Sequence, residues 1–138
     1  KPAKRKGLKG IKVLLAEDND LNAELAAILL EDSEMIVTRA ADGQEVVDLF
    51  ANHPAGTYDI ILMDIMMPKM DGLQAAKAIR AMQAERPDAE EIPIIALSAN
   101  AFAEDVQTSL DAGMNGHVSK PLNVAEVAKV IARNLNKS

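Results

Sequence analysis

The stretch Tyr58–Gly72, YDIILMDIMMPKMDG, runs four apolar residues, Ile60 to Met63, straight into a carboxylate, Asp64. A methionine-rich loop follows, closed by Pro68 and Asp71-Gly72. A short continuous apolar run bounded by turn residues reads as a strand buried on both faces, the kind that parallel sheets contain. Asp64 then either marks the end of that strand or is presented by it.

The same pattern recurs on either side. Ile11–Ala16 is a second such run and ends in Glu17-Asp18. Met35–Ala40 is a less apolar strand whose end, Arg39-Ala40, offers nothing obviously chemical. Ile92–Leu97 ends in Ser98, and Gly116–Ser119 runs into Lys120-Pro121. Helical stripes separate these strands. Leu21, Leu25, Ile28 and Leu29 form the first. Asp42 with Glu45 resembles a capping box, opening a helix that buries Val46, Val47 and Phe50. Leu73 to about Gln83 carries Ala75, Ile79 and Met82 on one face. Phe102, Val106 and Leu110 form the fourth stripe, which Gly113 can cap in the left-handed conformation. Asn123 with Glu126 starts the last helix, with Val124, Val127, Ala128, Ile131 and Leu135 facing inward. Strand–helix alternation five times over predicts an α/β domain, a parallel sheet with right-handed crossovers and helices on both faces.

Composition agrees and excludes alternatives. The 138 residues suit one domain. An apolar fraction of 49% and a charged fraction of 26% are those of a globular chain. With one Tyr, two Phe and no Trp, the core must be aliphatic. The lack of Cys removes disulfides, thiolate metal sites and Cys nucleophiles. No apolar run approaches the roughly 18 residues of a membrane span. The net charge is −6, yet Lys1, Lys4, Arg5, Lys6, Lys9 and Lys12 place +6 in the first 12 residues, leaving −12 on the rest. An acidic body argues against a nucleic-acid surface, and residues 1–10 read as a basic linker or tail before a domain at 11–136. The first residue is Lys, so the chain reads as a piece of something longer.

In doubly wound sheets ligands bind outside the carboxyl ends of the strands. There the sequence collects Glu17, Asp18, Asp64, Ser98 and Lys120. Singly, each is ordinary: an acid after a strand is commonly a turn former or helix cap. Together, three carboxylates repel one another and call for a cation. With no His or Cys in the set, Mg2+ fits better than Zn2+. Mg2+ accepts phosphate oxygens, a carboxylate can attack phosphorus to give an acyl phosphate, and Lys120 and Ser98 suit the stabilisation of the transferred group.

The segments VLLAEDND (13–20), DIILMDIMMPKMDG (59–72), IIALSANA (94–101) and HVSKP (117–121) resemble, in order and separation, the receiver domains of two-component signalling. The resemblance implies a flavodoxin-like (βα)5 sheet of strand order 2-1-3-4-5 in a single domain. It makes Asp64 the phosphoacceptor. Asp18, the carbonyl of Met66 and Asp64 become Mg2+ ligands, with Glu17 acting largely through water. Lys120, before a cis Pro121, pairs with the phosphoryl group. Ser98 carries the switch, with Ala99 and Asn100 beside the phosphoryl site. His117 stands where the family often has a switching aromatic residue, and reads either as such a switch or as a partly exposed edge residue. Met66 cannot position a hydrolytic water, which implies a phosphoryl group that is not especially short-lived. The implied partners are a phosphohistidine donor (a histidine kinase or phosphotransfer domain) and an output surface at about residues 101–135. No nucleic acid or membrane contact is implied, and the setting is cytoplasmic even where a parent chain is membrane-anchored. Such a domain catalyses its own phosphorylation without turnover. EDNDLNAELA and LSANAF resemble the C-terminal receiver of a hybrid histidine kinase, and a stand-alone receiver is the alternative context. A dehalogenase-like phosphatase would want a second Asp where Met66 stands. A flavin carrier would want a hydroxyl-rich loop in place of EDND. A receiver-like module that takes no phosphate would not need the intact site.

Overall fold

The computed structural model describes residues 9–67, 69–98, 103–119 and 123–135, and not the side chains of 103–106, 124 and 135. Five strands, β1 Lys12–Ala16, β2 Ile36–Ala40, β3 Ile60–Asp64, β4 Ile94–Ser98 and β5 Gly116–Ser119, form one parallel sheet in the order β2-β1-β3-β4-β5. Between and after them lie α1 Asp20–Asp32, α2 Gly43–Ala51, α3 Gly72–Arg80, α4 Ala103–Asp111 and α5 Val124–Leu135. The connection from α3 to β4 adds a 3-10 turn, Ala81–Ala84, and a helical turn, Asp88–Glu91.

The continuous apolar runs are what bury both faces. Side chains of a strand alternate, and β3 is buried at all five positions. Leu14, Ala16, Ile61, Met63, Ile94 and Ala96 face one core with Val46, Val47 and Phe50 of α2 and Ala75, Ala76 and Ile79 of α3. Val13, Leu15, Ile60, Leu62, Ile95, Leu97 and Val118 face the other, with Ala26 and Leu30 of α1 and Val127, Val130 and Ile131 of α5. Full burial of each large aliphatic side chain contributes about 1.5–3 kcal/mol, so the central strands anchor the domain and their carboxyl ends are fixed points.

Local chemistry starts the helices where the sequence pattern predicts. Asp42 Oδ1 accepts from the Glu45 amide at 2.8 Å, while the Glu45 carboxylate reaches the Ala41 amide rather than that of Asp42. Asp71 and Gln74 form a full reciprocal capping box, and Asn123 accepts from the Glu126 amide. Gly113, at φ +101°, turns the chain after α4, and a Cβ there would lie 2.8 Å from Arg80 Cγ.

Two expected stripes are corrected. Leu21, Leu25 and Ile28 do not face the core: they are 62%, 53% and 56% exposed, and α1 packs through Ala23, Ala26 and Leu30. Small side chains let α1 approach the sheet closely, and periodicity alone does not say which of two offset stripes is inward. Leu110 is likewise exposed, with Ser109 and Ala112 buried beside it. Phe102, and the side chains of Val106, Val124 and Leu135, lie outside the described residues.

Candidate functional site

The parallel register assembles the site. Ala16 is opposite Met63, so Glu17 and Asp64, each the next residue, leave the sheet side by side. Asp64 pairs in turn with Leu97, and Ser98 with Ser119. Ser98 is therefore one residue beyond Asp64 on the neighbouring strand. The apolar run of β3 serves as a rigid mount for one carboxylate.

Glu17, Asp18 and Asp64 come together with ligand atoms all within 4.8 Å of one another. Glu17 and Asp64 are buried, at 3% and 4% exposure, and Asp18 is open to solvent. Like charges this close cost a few kcal/mol per pair even at an effective dielectric constant of about 20, and burial of two of them adds to it. The donor set is all oxygen, which matches a hard divalent cation with retained waters, such as Mg2+, and not Zn2+ or copper.

The two buried carboxylates each have a defined tether. Glu17 remains sheet-bonded through its amide to the Ala40 carbonyl at 3.0 Å, and its Oε2 accepts from the Asn19 amide at 3.2 Å. Asn19 caps α1 through the Asn22 amide, so the helix begins immediately after the acidic pair. Asp64 Oδ1 accepts from the Met66 amide at 3.1 Å, which holds the carboxylate and the Met66 peptide in one unit.

The loop after β3 is pinned by close backbone approaches. The Gly72 amide donates to the Ile65 carbonyl at 2.9 Å. A Cβ at Gly72 would stand 2.4 Å from the Asp64 carbonyl oxygen, and one at Gly43 would stand 2.0 Å from the Met70 carbonyl oxygen. Contacts that short do not occur in folded proteins, so glycine is required at both positions. Met63 is core, while Met67 and Met70 pack against the α2–α3 side of the sheet. Met66 alone of the four points outward, at 79% exposure.

The structure places the other candidates unevenly. Ser98 ends β4, half-buried. His117 lies on β5, opposite Ala96, with its Nε2 enclosed and without a hydrogen-bond partner among the described residues. Lys120, Pro121, Ala99 and Asn100 lie outside the described residues. One neighbour of the site escaped sequence reading: Arg39, at the end of β2, whose guanidinium reaches the acidic turn. Nothing in a lone Arg before Ala announces this, and only the pairing of β2 with β1 reveals it.

Comparison with known proteins agrees with this geometry. The family model of the response regulator receiver domain matches residues 13–132. The sensor protein GacS of Pseudomonas syringae pv. syringae is 37% identical over 122 residues, which are 88% of this chain and 13% of that one. The chain thus spans about an eighth of that curated relative. Among solved structures, the receiver domain of the sensor histidine kinase PA1611 of Pseudomonas aeruginosa PAO1, with a magnesium ion coordinated in its active-site cleft, superposes with a TM-score of 0.81 at 36% identity, covering 93% of this chain and 99% of that one. A co-crystal of the Saccharomyces cerevisiae histidine phosphotransfer protein Ypd1 with the receiver domain of Ssk1 gives a TM-score of 0.83 at 28% identity, covering 95% and 92%. None of the described helices is long and apolar enough to cross a membrane.

Proposed function

This chain belongs to the response regulator receiver domain family, and from that premise we propose that Asp64 accepts a phosphoryl group from a phosphohistidine in a Mg2+-dependent reaction within a phosphorelay. The observation that carries the reading is the acidic triad itself, two of its members buried at the ends of adjacent central strands. A fold does not collect three carboxylates there for stability.

Glu17, Asp18 and Asp64, with the Met66 carbonyl, would hold the ion. When bound, Mg2+ supplies charge neutralisation at the carboxylates and at the phosphoryl oxygens. The chain's own part is positioning. An Asp64 carboxylate oxygen forms the new O–P bond as the P–N bond to the donor imidazole breaks, the bonding pair leaving on nitrogen; with the donor ring's other nitrogen protonated, the products are an acyl phosphate and a neutral histidine. The Met66 amide tether sets the rotation of that carboxylate before the donor arrives. Ser98 and Lys120 serve the transferred group, with Ala99, Asn100 and Pro121 around it. His117 serves as a switching residue, because an enclosed ring nitrogen without a partner among the described residues can be satisfied by a second conformation. The output is a population shift between modified and unmodified surfaces, on residues 101–135.

The donor's own docking face lies elsewhere. A macromolecule that brings a histidine to Asp64 must cover the mouth of the site, where Met66 and the first turn of α1 stand. The exposed Leu21, Leu25 and Ile28 run down one face of α1 from that point, a surface suited to an apolar helical partner. The yeast receiver structure, with its histidine phosphotransfer protein, and the sensor kinase relatives support a histidine-bearing protein as donor. Two hybrid signal transduction histidine kinases of Dictyostelium discoideum, 39% and 38% identical to this chain, support a hybrid histidine kinase as the parent.

The test is transfer from a phosphorylated histidine phosphotransfer protein to this chain. Label should appear on the wild type and not on Asp64→Asn. Equal label on both would overturn the assignment. Leu25→Asp should slow transfer from the protein donor while leaving labelling by a small acyl phosphate unchanged.

A further inference from the structure

We infer that Arg39 is a positioning residue of the acidic site, fixing the backbone of Asp18 so that its exposed carboxylate is held where a divalent cation can take it together with Glu17 and Asp64. The inference rests on the divalent-cation reading of the triad. Its observation is a separate one, the contacts of a side chain on a different strand.

Arg39 sits in β2 opposite Leu15, and its side chain extends toward the carboxyl edge of the sheet. Nε and Nη2 donate to the Glu17 carbonyl at 3.1 and 2.9 Å, and Nη2 also donates to the Asp18 carbonyl at 3.2 Å. Nη1 pairs with Asp20 Oδ1 at 2.9 Å. The carbonyl of Glu17 belongs to the peptide before the Asp18 Cα, and the carbonyl of Asp18 to the peptide after it. One planar group therefore grips both peptide planes that flank Asp18, and so restricts the two dihedrals that aim its side chain.

Asp18 needs this more than its neighbours do. Glu17 and Asp64 are buried and tethered to main-chain amides, whereas Asp18 is open to solvent. Without the guanidinium the turn between β1 and α1 could rotate its carbonyls toward water, and the aim of Asp18 would be lost. The fork geometry matters, because lysine offers a point charge and cannot reach two carbonyls and a carboxylate in one plane. Groups that orient metal ligands typically change affinity by about 10–100-fold when removed.

Charge and geometry make opposite forecasts. If Arg39 acted only as a nearby positive charge, its removal would tighten cation binding. As a positioning group, its removal weakens it. The experiment is Mg2+ titration of the full chain, followed by an intrinsic or amide NMR signal, for wild type, Arg39→Met, Arg39→Lys, Asp20→Asn and Arg80→Met. Arg39→Met and Arg39→Lys should each raise the apparent Kd on the order of 10-fold. Asp20→Asn should change it less than twofold, because that carboxylate is almost wholly exposed, at 93%. Arg80→Met, at the far edge of the sheet, should lower the melting temperature and leave the Kd alone, which separates lost stability from lost aim. Unchanged or tighter Mg2+ binding in Arg39→Met overturns the inference, as does full rescue by lysine. Should Arg39→Met not fold, Arg39→Lys alone decides the matter. If the wild type itself fails to bind Mg2+, the reading of the triad falls first and this inference with it.

Discussion

The two ends of the sheet use charge in opposite ways. At the amino edge, Arg80 donates to the carbonyls of Gly113, Ala89 and Ile92 and to Asn115 Oδ1, all between 2.7 and 3.0 Å. Asn115 Oδ1 also accepts from the Ile94 amide. Burial lowers the Arg80 pKa from its ordinary value, against the pull of Glu90. Arg86 lies over the Phe50 ring at 4.2 Å, donates to the Phe50 carbonyl, and grips both oxygens of Asp88. Here charge is placed where main-chain acceptors and a carboxylate satisfy it. At the carboxyl edge three carboxylates converge, Arg39 grips the backbone carbonyls of Glu17 and Asp18, and the Glu17 and Asp64 carboxylates accept from main-chain amides. One edge satisfies its charges within the fold, and the other gathers like charges at the candidate cation site.

The largest expected effect comes from exchanging those roles. Asp18→Ala should weaken Mg2+ binding by more than tenfold, while thermal unfolding without Mg2+ shows equal or higher stability, because a repulsion has been removed. A lower melting temperature would mean that the acids serve the fold. Arg80→Met should do the reverse. It leaves buried carbonyls without donors and costs on the order of 3 kcal/mol, read by denaturant unfolding, with Mg2+ affinity unchanged. Gly72→Ala should damage both properties, since the added carbon would press on the Asp64 carbonyl; full Mg2+ affinity in this variant would argue against a pinned loop.

Smaller effects sharpen the contrast. The hydrogen bond from Arg86, then its charge, hold the Asp88 carboxyl below its ordinary value of 3.8. A depressed folded pKa contributes stability that is present above the unfolded value and lost as pH falls through the folded one. Asp88→Asn should therefore cost stability near neutral pH, with the difference from wild type closing below about pH 3.8, as followed by acid titration of unfolding. A difference that persists unchanged into stronger acid would contradict the pairing. The smallest effect concerns Met66: Met66→Asn should shorten the lifetime of phospho-Asp64 by letting a side chain orient water, and an unchanged decay rate would count against that role.

Much of this was legible in the chain because buried parallel strands write themselves as uninterrupted apolar runs. Those runs put Glu17, Asp18, Asp64 and Ser98 at strand ends. The strand order came from the resemblance alone, and the sheet has that order. What stayed illegible has physical reasons. In α1 a leucine stripe and an alanine stripe lie side by side, and hydrophobicity favours the wrong one, since close packing against the sheet selects the smaller residues. Arg39 looked inert because its function is carried by distance across strands and not by spacing along the chain. The methionines after Asp64 could be sorted only by how the loop folds over Gly43 and Gly72.

The measurement that meets the central claim most directly is intact-protein and peptide mass spectrometry after incubation with a small acyl phosphate. With Mg2+ present, the wild type should gain one phosphoryl group mapped to Asp64. Chelation of the metal, or Asp64→Asn, should abolish it. Modification that maps elsewhere, or that survives both changes undiminished, would contradict the account.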